Sequence, residues 1–416
     1  MAEAELIEAE GLPDPETCDV DEIDPSNAKM FEHEAWAPYF ARLRAEDPVH
    51  YTADSAFGPF WSITKFDDIK AVDMNHQAFS SEPGIVIGDQ PPDFTLPQFI
   101  AMDQPRHDDQ RKGVQPAVAP RQLANLEPLI RQRVCNILDG LPVGEEFDWV
   151  PNVSVELTTQ MLATLFDFPF EERHLLPYWS DAATSSPALV GASNMTDEER
   201  QAVLFECLEY FQKLWNDRRG GNNLDFITMM ANSKAFQGMP PLEYLGNLIL
   251  LIVGGNDTTR NSITGGVYAL NKWPEEYDKL RADPSLIPNM VAEIIRWQTP
   301  LAHMRRRCVA DTQVGDKTIK AGDKVVMWYV SGNRDEDHFE DADRVIIDRP
   351  NARSHVSFGY GIHRCMGNRL GEMQLRVLWE EILKRFHTVE VKAEPTRICS
   401  NFVKGYLSMP VVLHPH

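Results

Sequence analysis

The chain has 416 residues, 43% of them apolar and 25% charged, a globular composition long enough for one large domain or two ordinary ones. Its 40 basic and 63 acidic residues give a net charge of −23, which argues against nucleic acid or anionic lipid as a partner of the overall field. No run of about 20 apolar residues occurs and the N-terminus lacks a signal-peptide pattern, so no membrane span and a cytoplasmic location are expected.

Residues 1–28 hold no Lys or Arg and many acids, which predicts a solvated, partly disordered arm over residues 1–30. A helix is expected over 36–46, then short strands at Val49–Tyr51 and Phe60–Ile63 joined by the turn at Gly58-Pro59. Residues 82–100 mix Pro, Gly and isolated apolar side chains and predict a long loop. Helical periodicity returns at 107–138, 153–166, 171–183 and 197–217. The stretch from Pro241 to Lys272 predicts one helix of about 30 residues, roughly 45 Å long. Leu245, Leu248, Ile249, Leu250, Leu251, Ile252 and Val253 make it apolar on most faces, so it should cross the core. A helix at Met290–Trp297, a two-period strand pattern over 312–330, a helix at about 366–386 and strand-like ends at 388–391 and 402–413 follow. With no alternating strand–helix rhythm, the fold class is mainly α with a minor sheet.

The six cysteines (Cys18, Cys135, Cys207, Cys308, Cys365 and Cys399) are scattered without a CxxC pair, which argues against a disulfide framework. Five read as buried or idle thiols. Cys365 differs, because it sits in Phe358-Gly359-Tyr360-Gly361-Ile362-His363-Arg364-Cys365-Met366-Gly367. The glycines permit a tight turn, and a helix starts just after the sulfur, whose unpaired N–H groups favour a thiolate. A thiolate in such a loop suits an axial ligand to haem iron. A second unusual segment lies inside the long helix, Gly254-Gly255-Asn256-Asp257-Thr258-Thr259. Paired glycines there cost about 1 kcal/mol each relative to Ala, which is odd unless something approaches the backbone or the helix opens. An acid followed by an alcohol can hold a water and pass protons.

The loop around Cys365 resembles the haem-binding signature of the cytochrome P-450 family, Phe-Gly-x-Gly-x-His-x-Cys-x-Gly, at every fixed position. The resemblance implies the cytochrome P-450 fold, a helix-rich domain with a smaller β-rich portion, as a single catalytic domain over 31–416. It implies haem b as cofactor, Cys365 as the iron ligand, and Phe358 and Gly367 beside it. By the same resemblance His363 would meet a haem propionate, joined by His107 and Arg111 of the Asp103-Gln104-Pro105-Arg106-His107 segment. Arg306 would be a further propionate ligand, with its register open among Arg305, Arg306 and Arg307. Gly254 and Gly255 would leave room on a distorted helix, Thr258 would hydrogen-bond the oxygen being activated, and Asp257 would feed protons to it. Glu293 and Arg296 resemble the family's structural acid–guanidinium pair, with Arg344 completing the network.

The stretches Gly58 to Ser62, Gly254 to Gly266, Ile295 to Pro300, Trp328 to Asp335 and Ser400 to Tyr406 look like the bacterial soluble alkane and fatty-acid terminal hydroxylases. That resemblance implies an apolar small-molecule substrate and O2. A terpenoid, aromatic or steroid substrate is the alternative, and a non-catalytic haem sensor and a peroxide-driven enzyme are further ones. Ile85, Val86, Ile87, Leu250, Val253, Leu301, Phe402 and Leu407 are candidate substrate walls, and the region around 169–215 is a candidate lid with flexible loops at 184–187 and 191–194. No flavin, nicotinamide or ferredoxin-like motif is present, so electrons come from outside; the resemblance implies an acidic iron–sulfur ferredoxin and its reductase, with Lys112, Arg121, Arg364 and Arg369 as candidates for a basic docking patch.

Overall fold

A single helix, Pro241–Lys272, runs 32 residues through the centre of the computed structural model, which describes residues 11–185 and 195–416. Its apolar residues are buried on nearly every side, as the sequence pattern requires. The helices Glu156–Leu165, Leu175–Thr184, Asp197–Asp217, Pro274–Ala282, Ile287–Gln298 and Asn368–Arg385 pack on it. Gly246 lets the Pro97 carbonyl lie against the core helix, where a Cβ would collide with it, and the Asn247 side chain accepts the Phe99 N–H at 2.9 Å. The expected loop over 82–100 is thereby fastened across the helix, without regular structure until the 3-10 turn Phe99–Ala101.

The β portion is small. Strands β1 (Val49–Thr52), β2 (Phe60–Ile63), β3 (Phe79–Ser80), β5 (Met304–Cys308) and β8 (Lys324–Met327) form one sheet in the order β1-β2-β8-β5-β3. Strands β4 (Glu146–Asp148), β9 (Phe386–Val391) and β12 (Pro410–Pro415) form a second, ordered β4-β12-β9. The pairs β6 (Thr312–Val314) with β7 (Lys317–Ile319), and β10 (Thr396–Arg397) with β11 (Tyr406–Ser408), complete it. Among the described residues no helix is long and apolar enough to cross a membrane.

Three expectations need correction. From Ile23 onward the acidic N-terminus is packed and not a solvated arm, while residues 11–22 follow the surface with none of them buried. Ile23, Met30 and Phe31 are buried with Trp36, Phe40 and Trp328, the Tyr39 hydroxyl donates to the Pro13 carbonyl at 2.6 Å, and Arg42 donates to the Cys18 carbonyl at 2.7 Å. These few apolar residues outweigh the surrounding charge; residues 1–10 lie outside the described part. The helical pattern 107–138 is two helices, Arg106–Val114 and Pro120–Asp139, parted by a 3-10 turn where Pro116 and Pro120 remove backbone donors. The strand pattern over 312–330 ends at Met327. Tyr329–Gly332 forms a short helical turn, because the Trp328 N–H takes the last ladder position on Ile63 and Ser331 and Gly332 fold back onto Trp328.

Candidate active site

One large internal cavity lies between the core helix, the loop 84–101, the helices around residues 183 and 200, and the cysteine loop 357–367. Cys365 faces into it from just before the helix Asn368–Arg385. Positive φ at Gly359 (+64°) and Gly361 (+66°) folds the loop, and the Cys365 N–H closes it on the Phe358 carbonyl at 2.8 Å. A Cβ at Gly361 would press on the Asp73 backbone at 2.8 Å, and one at Gly367 would stand 4.0 Å from the sulfur. Glycine is therefore required at 361 for the turn and the close approach, whereas a Cβ at 367 would make only ordinary contact with the sulfur.

The expected helix-end stabilisation of the thiolate is incomplete. Burial raises the Cys365 pKa above its ordinary value, and the Gly367 and Asn368 N–H groups with the Arg111 and Arg364 guanidiniums only oppose that shift. A bound metal cation would supply the remainder, since coordination deprotonates a thiol outright.

A cluster of donors stands beside the sulfur with too few protein partners. His363 is buried; its Nε2 meets Ser81 Oγ at 2.9 Å and its Nδ1 has no partner. Burial, with Arg306 and His107 adjacent, pushes its pKa down to about 2, so the ring is neutral. His107 stacks edge-on against it with centroids 4.3 Å apart, its Nδ1 held by Asp108 at 2.8 Å and its buried Nε2 unpartnered. Burial lowers the His107 pKa as well. Arg111 and Arg306 line the same cavity wall. Of the three neighbouring arginines on β5 only Arg306 lines the cavity: Arg305 turns to Asp89 on the other face at 2.5 Å, and Arg307 is exposed. Unpartnered donors and two guanidiniums around a cavity-facing sulfur fit a group that carries anionic carboxylates.

Across the cavity, Gly254 meets nothing within 4 Å of a Cβ, whereas a Cβ at Gly255 would lie 2.7 Å from Leu162. Only Gly254 leaves room; Gly255 is a packing glycine. The expected distortion is absent: helical bonding is continuous from 241 to 272, and the Thr258 hydroxyl, which faces the cavity, donates to the Gly254 carbonyl at 2.9 Å. Asp257 does not line the cavity. It is fully buried one helical step (about 100°) away, accepting from Ser180 Oγ at 3.0 Å and paired with Arg260 at 2.6 Å. Arg260 in turn meets Asp181, which is 60% exposed, so the acid connects outward to solvent. Burial raises the Asp257 pKa, opposed by Arg260.

Glu293 and Arg296 are buried and joined through two bonds of 2.8 Å. Arg344 does not complete this network: its side chain is half exposed and binds Glu275, and only its carbonyl accepts from Arg296. The buried Arg349 takes that place, with Nε 3.0 Å from Glu293 Oε1. The Asp343-Arg344-Val345 pattern pointed five residues early, because spacing across a loop does not show which guanidinium turns inward.

Six of the eight apolar candidates, Ile85, Val86, Leu250, Val253, Leu301 and Phe402, line the cavity. Ile87 does not; it is packed with Phe60 and Trp328, its N–H held by His303. Leu407 is 58% exposed on β11, because alternation on a short strand turns it outward. The sequence reading missed Phe94, Leu204, Phe226 and Arg200, which come from the loop and from the helices Asp197–Asp217 and Phe226–Asn232. Leu204 and Arg200 share a face at i, i+4, the spacing that would have exposed them. Of the candidate lid loops, residues 186–194 lie outside the described part.

Residues 196–410 match the family model for cytochrome P450. The chain belongs to the cytochrome P450 family. It is 36% identical to linalool 8-monooxygenase of Pseudomonas putida, over 94% of this chain and 99% of that protein. It is 31% identical to a methyl-branched lipid omega-hydroxylase of Mycobacterium tuberculosis, over 89% and 90%. The structure of CYP153D17 from Sphingomonas sp. PAMC 26605 superposes with a TM-score of 0.89 at 48% identity, over 95% of this P450 and 100% of that chain. The protein is thus a monooxygenase whose cofactor is haem b with thiolate ligation, and none of its six cysteines is joined in a disulfide.

Proposed function

We propose that this P450 hydroxylates the terminal carbon of a medium-chain alkane or fatty acid, with electrons from an acidic ferredoxin. The observation that carries the reading is the apolar wall of Ile85, Val86, Leu250, Val253, Leu301 and Phe402 in the cavity that Thr258 and Cys365 also line. A methyl C–H bond is the strongest in the chain, so attack there needs a slot that admits only the chain end. The relative named an omega-hydroxylase supports this choice. The relative named linalool 8-monooxygenase favours a second reading, a terpenoid in the same slot.

Cys365 would hold the haem iron and His107, Arg111, Arg306 and His363 its carboxylates; when bound, haem supplies oxygen activation and C–H oxidation. Thr258 Oγ1 presents a hydroxyl at the cavity face and can deliver a proton there. Asp257 would feed the proton that replaces it, and the Arg260 ion pairs to Asp257 and to the exposed Asp181 hold that acid in place. The apolar walls exclude water. Lys112, Arg121, Arg364 and Arg369 are exposed, and Arg364 and Arg369 flank the cysteine, which suits docking of an acidic electron carrier. The deciding experiment feeds the reconstituted enzyme a matched series of alkanes, fatty acids and monoterpenes and identifies the products. Chain-end alcohols support the reading; internal or terpenoid products alone replace it.

A further inference from the structure

Among the described residues, three guanidiniums line the cavity: Arg111, Arg200 and Arg306. Two stand with His363 beside the cysteine loop. Arg200 does not. It belongs to the helix Asp197–Asp217, which packs on Leu175–Thr184, Phe226–Asn232 and the core helix, and its side chain is 6% exposed. Asp197 accepts from its Nε at 3.3 Å and Nη2 at 3.0 Å, and the guanidinium lies 5.8 Å from the Phe94 ring. Nη1 has no partner among the described residues, and the cavity it lines is walled mainly by apolar side chains such as Phe94, Leu204, Ala183 and Phe226, with Gln90, Gln98 and Thr184 among the polar ones.

An i, i+3 ion pair does not explain this burial. Such a pair contributes a few tenths of a kcal/mol and forms as well on an exposed helix face. Asp197 itself is 48% exposed, so its charge is screened by water, while the guanidinium it steadies is turned inward. A guanidinium with an idle pair of N–H donors open to a mainly apolar cavity is a ready partner for an anion. The anion is not supplied by the haem side, whose carboxylates have His107, Arg111, Arg306 and His363.

We infer that Arg200 receives the carboxylate of the substrate, which makes that substrate a fatty acid and not an alkane. The inference rests on the terminal-hydroxylation reading for what happens at the other end of the chain. Phe94 and Leu204 wrap the first methylenes, the head group is fixed at Arg200, and the chain end is left to reach the Thr258 side. Fixing the head would set which chain lengths place a methyl at the reacting position.

The test measures binding to the holoenzyme, from displacement of the water ligand on the haem iron, for dodecanoate and its methyl ester in wild type, Arg200→Gln, Arg200→Lys and Asp197→Asn. Expected is a preference of wild type for the acid and a loss of about 10- to 100-fold for the acid alone in Arg200→Gln. Arg200→Lys should retain part of the preference. Asp197→Asn, which keeps the guanidinium and removes its competitor, should tighten the acid. If acid and ester fall together, or Arg200→Gln binds the acid like wild type, the assignment is wrong. If Arg200→Gln does not fold, Asp197→Asn decides: tighter acid binding supports the site and unchanged or weaker binding overturns it. Oxidation of the bound acid at internal carbons would reject terminal hydroxylation while leaving the acid–ester contrast to judge Arg200.

Discussion

Arg306 Nη2 and Asp73 Oδ1 stand 2.7 Å apart, both side chains buried. The other Asp73 oxygen accepts from the Tyr329 hydroxyl at 2.9 Å and from the Tyr360 N–H at 2.7 Å. One carboxylate thus ties an arginine on the cavity wall to the backbone of the cysteine loop. Breaking a buried pair by removing one member leaves the other charge uncompensated, at about 3–5 kcal/mol. Asp73→Ala should lower the unfolding free energy by about that much and speed loss of haem; denaturant unfolding and haem transfer to apomyoglobin measure the two effects.

The Glu293 network makes a sharper comparison. Arg349→Ala removes a buried partner and should cost about 3–5 kcal/mol. Arg344→Ala removes a half-exposed side chain paired to Glu275, itself 54% exposed, and should cost no more than about 1 kcal/mol. Equal losses in urea unfolding would show that Arg344 carries more than its exposed pair.

Much of this was legible in the sequence, for identifiable reasons. The core helix was read to the residue, because its apolar run ends on prolines at 241 and 274. Cys365, His363 and Thr258 were legible because each chemistry needs a fixed local spacing that survives folding. What failed depended on direction in space. Adjacent spacing did not show that Asp257 and Thr258 face different ways, since one residue along a helix turns a side chain to another face. Arg349 and Asp73 reach their partners across loops, and Ile87 and Leu407 are apolar in the right neighbourhood but point elsewhere. Hydropathy marks a wall; it does not say which side of the chain forms it.

The two glycines of the core helix should separate cleanly. Gly254→Ala enters open space and reduces chain entropy in the unfolded state, so it should stabilise by about 0.5–1 kcal/mol while narrowing the cavity above the sulfur. Gly255→Ala must displace Leu162 and should cost about 1–3 kcal/mol. Stability curves together with affinity for a bulky and a slender ligand distinguish these outcomes: only the first variant should discriminate against bulk.

Thr258 and Asp257 should also fail differently. Thr258→Ala removes a hydroxyl from the cavity face, so electrons should be consumed without matching product. Asp257→Asn alters nothing on the wall, so substrate affinity should stay near wild type while turnover slows, about 100-fold at the lower bound for a proton-transfer group. Ratios of reductant consumed to product formed, with solvent deuterium isotope effects, are the readouts. Weakened substrate binding in Asp257→Asn would mean that the acid shapes the cavity instead of supplying it.

His303 sets an acid limit on the cavity wall. It is fully buried, with Nδ1 2.9 Å from the Asn401 carbonyl and Nε2 accepting the Ile87 N–H at 3.1 Å, so the neutral ring joins the loop carrying Val86 to the loop carrying Phe402. Burial and the nearby Arg305 push its pKa down to about 4, against the Asn401 bond. In the unfolded chain the ring binds a proton near pH 6.5, so between these values the unfolded state holds more protons. The His303 contribution is therefore complete above about 6.5 and declines by about 1.4 kcal/mol per pH unit as pH falls toward 4. Protonation would also force Nε2 to give up the Ile87 N–H. His355, lowered to about 3 by burial, adds a loss of the same sign, so the decisive comparison is between slopes. His303→Asn should show a shallower fall of unfolding free energy between pH 6.5 and 4 than wild type, by up to one proton. Equal slopes would place the titrating group elsewhere, and substrate affinity that weakens over the same interval only in wild type would tie this imidazole to the wall it braces.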